Sequence, residues 1–237
     1  NESTARMVRG ARVSLIVTDA KLEPLLGGPA LLARPRRGVR RIESLLEAAI
    51  PATQRLPKRA PEDLALVQYS SGSTREPRPI ALSHENLLTQ CLILQRCVAR
   101  RLGAEVVPTA VSWLPLYHDM GLIGMLLGSA HVQGTLVLMP PEVFLVRPRR
   151  WLEAIARHRA EVSASPDFGY ALTTRRLAGK DISGLDLSHW KLALNGAEVV
   201  SAQTMSNFAE RFASCGFRRE AFAPVYGLAE ASLAVTF

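Results

Sequence analysis

The 237-residue chain has only three cysteines, Cys91, Cys97 and Cys215. Odd in number and widely spaced, they fit no disulfide framework and no zinc spacing, which points to a reducing, cytoplasmic setting. Cys91 and Cys97 fall in an apolar helical run and read as core residues. Lysine is scarce too: Lys21, Lys58, Lys180 and Lys191, against 25 arginines. None of the four lies near the hydroxyl-rich stretch Ser70 to Thr74. The G-x-x-x-x-G-K-S/T phosphate loop is therefore absent, and so is G-x-G-x-x-G, which excludes a P-loop NTPase and a dinucleotide-binding fold. No apolar stretch is long enough to span a membrane; the longest runs from Gly121 to Ala130. No signal-peptide pattern, internal repeat or low-complexity tract is visible. No Ser/His/Asp or Cys/His arrangement supplies a side-chain nucleophile.

What is present is the composition of a globular domain, with 48% hydrophobic and 21% charged residues. The net charge is +8. Its densest cluster, Arg34-Pro35-Arg36-Arg37-Gly38-Val39-Arg40-Arg41, reads as a proline-flanked connector rather than a face interleaved with aromatics. No nucleic-acid partner is expected on that ground, although an anionic substrate would be attracted.

Periodicity predicts alternating strands and helices. Strands are expected at Val13–Val17, from Leu64, over Val106–Leu114, Thr135–Met139, Glu161–Ser165, Trp190–Leu194 and Ala221–Val225. A short helix carries Ile42, Leu45, Leu46 and Ala49. Longer ones run from an N-cap at Ser83 to about Arg101, from Gly121 to about Val132, after Pro148, and over Asp167–Leu177. Met205, Phe208, Ala209 and Phe212 form another helical stripe that reads as core. Gly227 is expected to open a final helix. The pattern implies an α/β fold, a mostly parallel sheet flanked by helices. Residues 1–63 read as a partial strand/helix segment with a Pro/Arg-rich connector, and residues 64–237 as the α/β core. The chain does not begin with Met, and its first residues are expected to run straight into a strand, as though cut from a larger domain.

Ligands of such sheets bind at the carboxyl ends of the strands. Four polar stretches are predicted there. The first, Tyr69-Ser70-Ser71-Gly72-Ser73-Thr74, reads as a strand, a hydroxyl-rich turn and a following helix, the parts of an anion-binding nest. The others are Trp113 to Gly124 with its Tyr117-His118-Asp119-Met120 core, Asn195-Gly196-Ala197-Glu198, and Tyr226-Gly227-Leu228-Ala229-Glu230. Each alone has a plainer reading. The turn could be a solvated loop, His118–Asp119 a structural pair, Glu198 and Glu230 surface carboxylates, and Tyr226 a core residue. Four together make a shared cleft the economical hypothesis.

The four stretches, with Pro77 and Leu82-Ser83-His84-Glu85-Asn86-Leu87, resemble in order the motifs of the adenylate-forming superfamily, and most closely its fatty acyl-AMP ligases. The resemblance implies that Ser70, Ser71, Gly72, Ser73 and Thr74 hold the phosphates of ATP. It implies that Thr74 and Glu230 serve Mg²⁺. Gly196, Ala197, Glu198 and Tyr226 would flank the adenine, with Gly227 in the same nucleotide site. His118 would stand at the mouth of the acyl pocket, near the reacting carboxylate, with the apolar helix after Gly121 lining the pocket. The implied reaction turns a fatty acid and ATP into an acyl-adenylate and pyrophosphate, for transfer to the thiol of an acyl carrier protein or synthase carrier domain. The implied catalytic set is His118, Thr74 and Glu230.

Two departures stand out. Arg75 occupies a position that is Gly in much of the superfamily, and Pro77-Arg78-Pro79 replaces Pro-Lys-Gly. The family's ribose-binding aspartate, its hinge and its lysine-bearing C-terminal domain are expected beyond Phe237. Two rival readings are a long-chain acyl-CoA synthetase and a truncated, non-catalytic binding module.

Overall fold

Two units make up the chain, residues 1–84 and 85–237; the computed structural model describes residues 2–47, 57–70 and 78–237. In the first unit the elements are α1 (Glu2–Gly10), β1 (Ile16–Thr18), α2 (Glu23–Ala33), β2 (Val39–Arg41), α3 (Ile42–Leu46), β3 (Leu64–Ser70) and β4 (Arg78–Ser83). β1 and β2 pair in parallel, and β3 and β4 form an antiparallel pair. The Tyr69 hydroxyl donates to Met7 O at 2.8 Å, tying β3 to α1.

Three expectations fail in this unit. The chain opens with α1 rather than running straight into a strand. The connector contains α2, begun by Pro24, whose fixed φ suits a first turn, and the arginine run ends in β2. Third, the next described element after β3 is the strand β4 and not a helix. Pro79 hid β4, because proline is uncommon inside strands. The expected helix starts one residue after Ser83, as α4 (His84–Leu102).

The second unit holds α4, β5 (Thr109–Ser112), a π-helix (Met120–Leu127), α5 (Gly128–His131), β6 (Thr135–Leu138), α6 (Pro141–Val146), α7 (Arg149–His158), β7 (Val162–Ser165), α8 (Asp167–Leu177), β8 (Leu192–Asn195), α9 (Ala202–Phe212), β9 (Phe222–Pro224), β10 (Tyr226–Gly227) and β11 (Ala234–Thr236). β5 to β9 form a five-stranded, all-parallel sheet in the order β6-β5-β7-β8-β9. The α/β reading therefore holds. Central β7 is buried at every residue and built from small side chains, which leaves room for the rings packed around it. α7 buries Trp151, Leu152 and Ile155, one face of an amphipathic helix. Trp151 Nε1 donates to Ser163 Oγ on β7 at 2.9 Å, and that hydroxyl donates to Val111 O on β5 at 2.6 Å. α9, capped by Ser201 accepting from Thr204 N, adds Phe208 and Phe212 to the core.

Three details of this unit also differ from expectation. β6, whose apolar run reads as a buried strand, is an outer strand of the described sheet and only partly buried. The apolar helix after Gly121 is a π-helix before it becomes α5. Gly227 opens no helix; β10 pairs antiparallel with β11.

Candidate functional site

Parallel strands bring their carboxyl ends to one edge, and three of the four predicted stretches follow β5, β8 and β9 there. At about 4.8 Å between neighbours, β5 and β9 are separated by roughly 14 Å along that edge. The fourth stretch follows β3, in the other unit and outside the five-stranded sheet. Ser70 ends β3, paired with Arg78; Ser71, Gly72, Ser73 and Thr74 lie outside the described residues.

After β5, Trp113 and Leu114 are buried while Leu116, Tyr117 and His118 are exposed. Asp119 is buried and caps the π-helix, accepting from Met120 N at 2.6 Å. His118 Nδ1 lies 2.7 Å from the same carboxylate oxygen. Nδ1 is also 3.3 Å from Met120 N, but both nitrogens donate to the nearer carboxylate. This hydrogen bond raises the His118 pKa, against partial burial, which lowers it. Nδ1 is thereby fixed as the protonated nitrogen, and Nε2 is left for another partner. π-helical segments are rare and concentrate at functional sites.

After β8, Asn195 and Gly196 are buried and Ala197 and Glu198 exposed. A Cβ on Gly196 would stand 2.6 Å from both Val225 Cγ2 and Val225 O. Only glycine allows the β8 loop this close to the β9 loop, and Val225 N donates to Asn195 O at 2.8 Å to hold them together. Ala197 has a left-handed φ of 68°, a strained value for a residue with a Cβ. The Glu198 carboxylate accepts from Phe168 N at 2.6 Å, capping the first turn of α8. After β9, Tyr226 and Glu230 are both exposed. Leu228 N donates to Leu233 O at 2.8 Å and closes this segment. Its Leu233 meets the π-helix: a Cβ on Gly124 would lie 3.1 Å from Leu233 Cδ2.

Sequence reasoning missed Asp167. Its Oδ1 accepts from Asn195 Nδ2 at 2.9 Å and from Ser201 N at 3.0 Å, fastening both ends of the β8 loop to α8. Asp167 directly after Pro166 at a helix start was the available signal.

The three loops thus join at one edge of one sheet, and residues 2–237 match the profile of AMP-binding enzymes. The chain belongs to that family. Among the AMP-binding enzymes, it is 38% identical over 208 residues to a medium-chain-fatty-acid acyl-carrier-protein ligase, TtuA, of Teredinibacter turnerae, covering 88% of this chain and 32% of TtuA. It is 47% identical over 174 residues to a 4-hydroxyphenylalkanoate adenylyltransferase of Mycobacterium tuberculosis, covering 72% of this chain and 28% of that protein. A putative acyl-CoA synthetase of Caulobacter vibrioides is 35% identical over 235 residues, covering 99% of this chain and 40% of the relative. Of solved structures, a fatty acyl-adenylate ligase from L. pneumophila, in complex with acyl adenylate and pyrophosphate, superposes with a TM-score of 0.86 at 34% identity, covering 99% of this chain and 40% of that one. The chain therefore spans about a third of the length of these curated relatives.

Proposed function

We propose that the whole protein carrying this chain activates a fatty acid as its acyl-adenylate and passes the acyl group to a carrier-protein thiol. A carboxylate oxygen of the fatty acid attacks the α-phosphorus of ATP. The new oxygen–phosphorus bond forms as the bond to the β-phosphate oxygen breaks, and pyrophosphate leaves. Such a reaction needs positioning and charge stabilisation rather than a side-chain nucleophile. The observation that carries this reading is the meeting of three loops in one unit: the π-helix against Leu233, and Gly196 against Val225. The named relatives support the substrate and the acceptor.

In this reading the exposed ring of Tyr226 stacks on the adenine beside Gly196, Ala197 and Gly227. Glu198, already bonded to Phe168 N, shapes the loop next to the base. His118 faces the reacting carboxylate through Nε2, and the π-helix lines the acyl pocket. Ser70, Ser71, Gly72, Ser73 and Thr74 hold the phosphates. No cluster of three or more His, Cys, Asp or Glu able to hold a metal occurs among the described residues. Mg²⁺ does not need one, since it is commonly held by one or two carboxylates and the substrate phosphates. Glu230, exposed and without a partner among the described residues, suits that role together with Thr74. When bound, Mg²⁺ would offset phosphate charge. The three free cysteines support a reducing, cytoplasmic setting.

Glu230→Gln removes charge at constant size, and Thr74→Val removes a hydroxyl at constant shape. Each should lower adenylate formation by about 10²–10³-fold, the cost of one preorganised contact. Together they should cost less than the product of the two, because residues acting as a unit are not additive. Pyrophosphate release with a fatty acid and ATP measures this, and acyl chain-length preference should not move. Full activity in Glu230→Gln would remove the metal role. The Caulobacter likeness favours a second reading, acyl-CoA synthesis. Faster acyl transfer to CoA than to carrier protein would select it.

A further inference from the structure

The second unit carries a groove of about 320 Å³ between the α6–α7 corner and the C-terminal end of α8. Five cations line it, Arg147, Arg149, Arg150, Arg176 and Lys180, against a single carboxylate, Glu153. That carboxylate is spent locally: Arg149 Nε holds it at 2.8 Å and Arg150 Nη1 at 3.5 Å. Arg149 also donates to Asp181 O. Arg147, Arg176 and Lys180 are exposed and have no side-chain partner in this unit. The N-terminus of α7 opens onto the same groove and adds partial positive charge. One wall is apolar. Val146 lines the groove at 71% exposure, with Leu145 and Val143 exposed beside it on α6.

We propose that this groove docks an acidic amphipathic helix of a partner protein. Unpaired cations beside exposed aliphatic side chains complement a helix with carboxylates on one face and leucine-like residues on the next. The concave shape takes a convex ridge, which a flat anionic bilayer does not offer, and the apolar wall is of no use to a free phosphate. Nothing in this assignment depends on the chemistry at the other end of α8.

The test uses the whole protein and a fluorescein-labelled helical peptide of about 18 residues, roughly five turns, with Glu on one face and Leu on the other. Fluorescence anisotropy should show binding that weakens with salt and is lost when Gln replaces Glu in the peptide. The triple variant Arg147→Glu, Arg176→Glu, Lys180→Glu should weaken binding about 10- to 100-fold, the loss of three exposed ion pairs. Val146→Asp should weaken it as well. Adenylate formation should stay unchanged in both variants, which keeps this result separate from the function proposed above. The comparison variant Arg36→Glu, Arg37→Glu, Arg40→Glu makes the same change in net charge and should bind as the unaltered protein does. Equal losses in the two triple variants would reduce the effect to overall charge and overturn the proposal. So would groove-dependent binding to anionic phosphatidylserine vesicles without peptide binding, or displacement of the peptide by inorganic phosphate at equal ionic strength.

Discussion

Trp151, Trp190, Tyr170, Phe208 and Phe212 of the larger unit are all buried to 1% exposure or less, and their rings meet at centroid distances from 4.6 Å. In the first unit the buried apolar side chains among the described residues are Ala5 and Leu82, while Leu25 and Leu46 are 69% and 78% exposed. One unit is organised by a core, the other by strand pairs and local hydrogen bonds. The same substitution should therefore have different consequences in each. Trp151→Ala removes a fully buried ring and its bond to Ser163, at about 3–5 kcal/mol. Leu25→Ala on α2 should stay within about 0.5 kcal/mol. Urea unfolding of the whole protein followed by far-ultraviolet circular dichroism measures both. Similar losses would mean that the division by burial has no energetic content.

Polar groups extend the contrast at a smaller scale. Asp167 is buried and serves two donors, Asn195 Nδ2 and Ser201 N. Asp167→Ala strands both, and Asn195 Oδ1 is already buried without a partner. A loss of about 2–3 kcal/mol is expected. Asp63 of the first unit accepts from Ala60 N in an exposed turn, where water replaces the lost partner. Asp63→Ala should cost about 0.5 kcal/mol or less. The same unfolding measurement applies, and a larger loss for Asp63 would reverse the ranking.

The contrast also explains what could be read in the sequence. Where a core imposes periodicity, prediction followed it closely. The helix expected over Asp167–Leu177 has those bounds, because Pro166 marks its start and Tyr170, Thr173 and Leu177 face inward. Of the stripe Met205, Phe208, Ala209 and Phe212, the last three are buried and Met205 is half-buried. In the first unit, without such a core, α1, α2 and β4 were all missed. At the site, the loops after β5, β8 and β9 were legible because glycine and polar residues stood where strands should end. The fastenings were not, since Asp167–Asn195 and Phe168–Glu198 join residues 28 and 30 apart, and no local pattern reports such pairs.

The smallest expected difference concerns two ion pairs. In the first unit Arg41 meets Glu23 at 2.5 Å, and the Arg41 pKa, raised by that hydrogen bond and charge, keeps the guanidinium protonated throughout the neutral range. In the second, the hydrogen bond to Asp119 raises the His118 pKa, so the folded state favours the imidazolium. A raised folded-state pKa gives stabilisation that is complete below the unfolded value, about 6.5, and lost as pH climbs through the higher folded value. The ring is half exposed, so solvent screening holds the effect to about 0.5 kcal/mol or less. Unfolding free energy measured from pH 5 to pH 8 should fall slightly more for the native chain than for His118→Gln, with the divergence beginning above the unfolded histidine value. Arg41→Gln should leave the shape of the profile unchanged. An imidazole resonance of His118 titrating below 6.5 would contradict the sign, and with it the assignment of the Nδ1 proton to the Asp119 hydrogen bond.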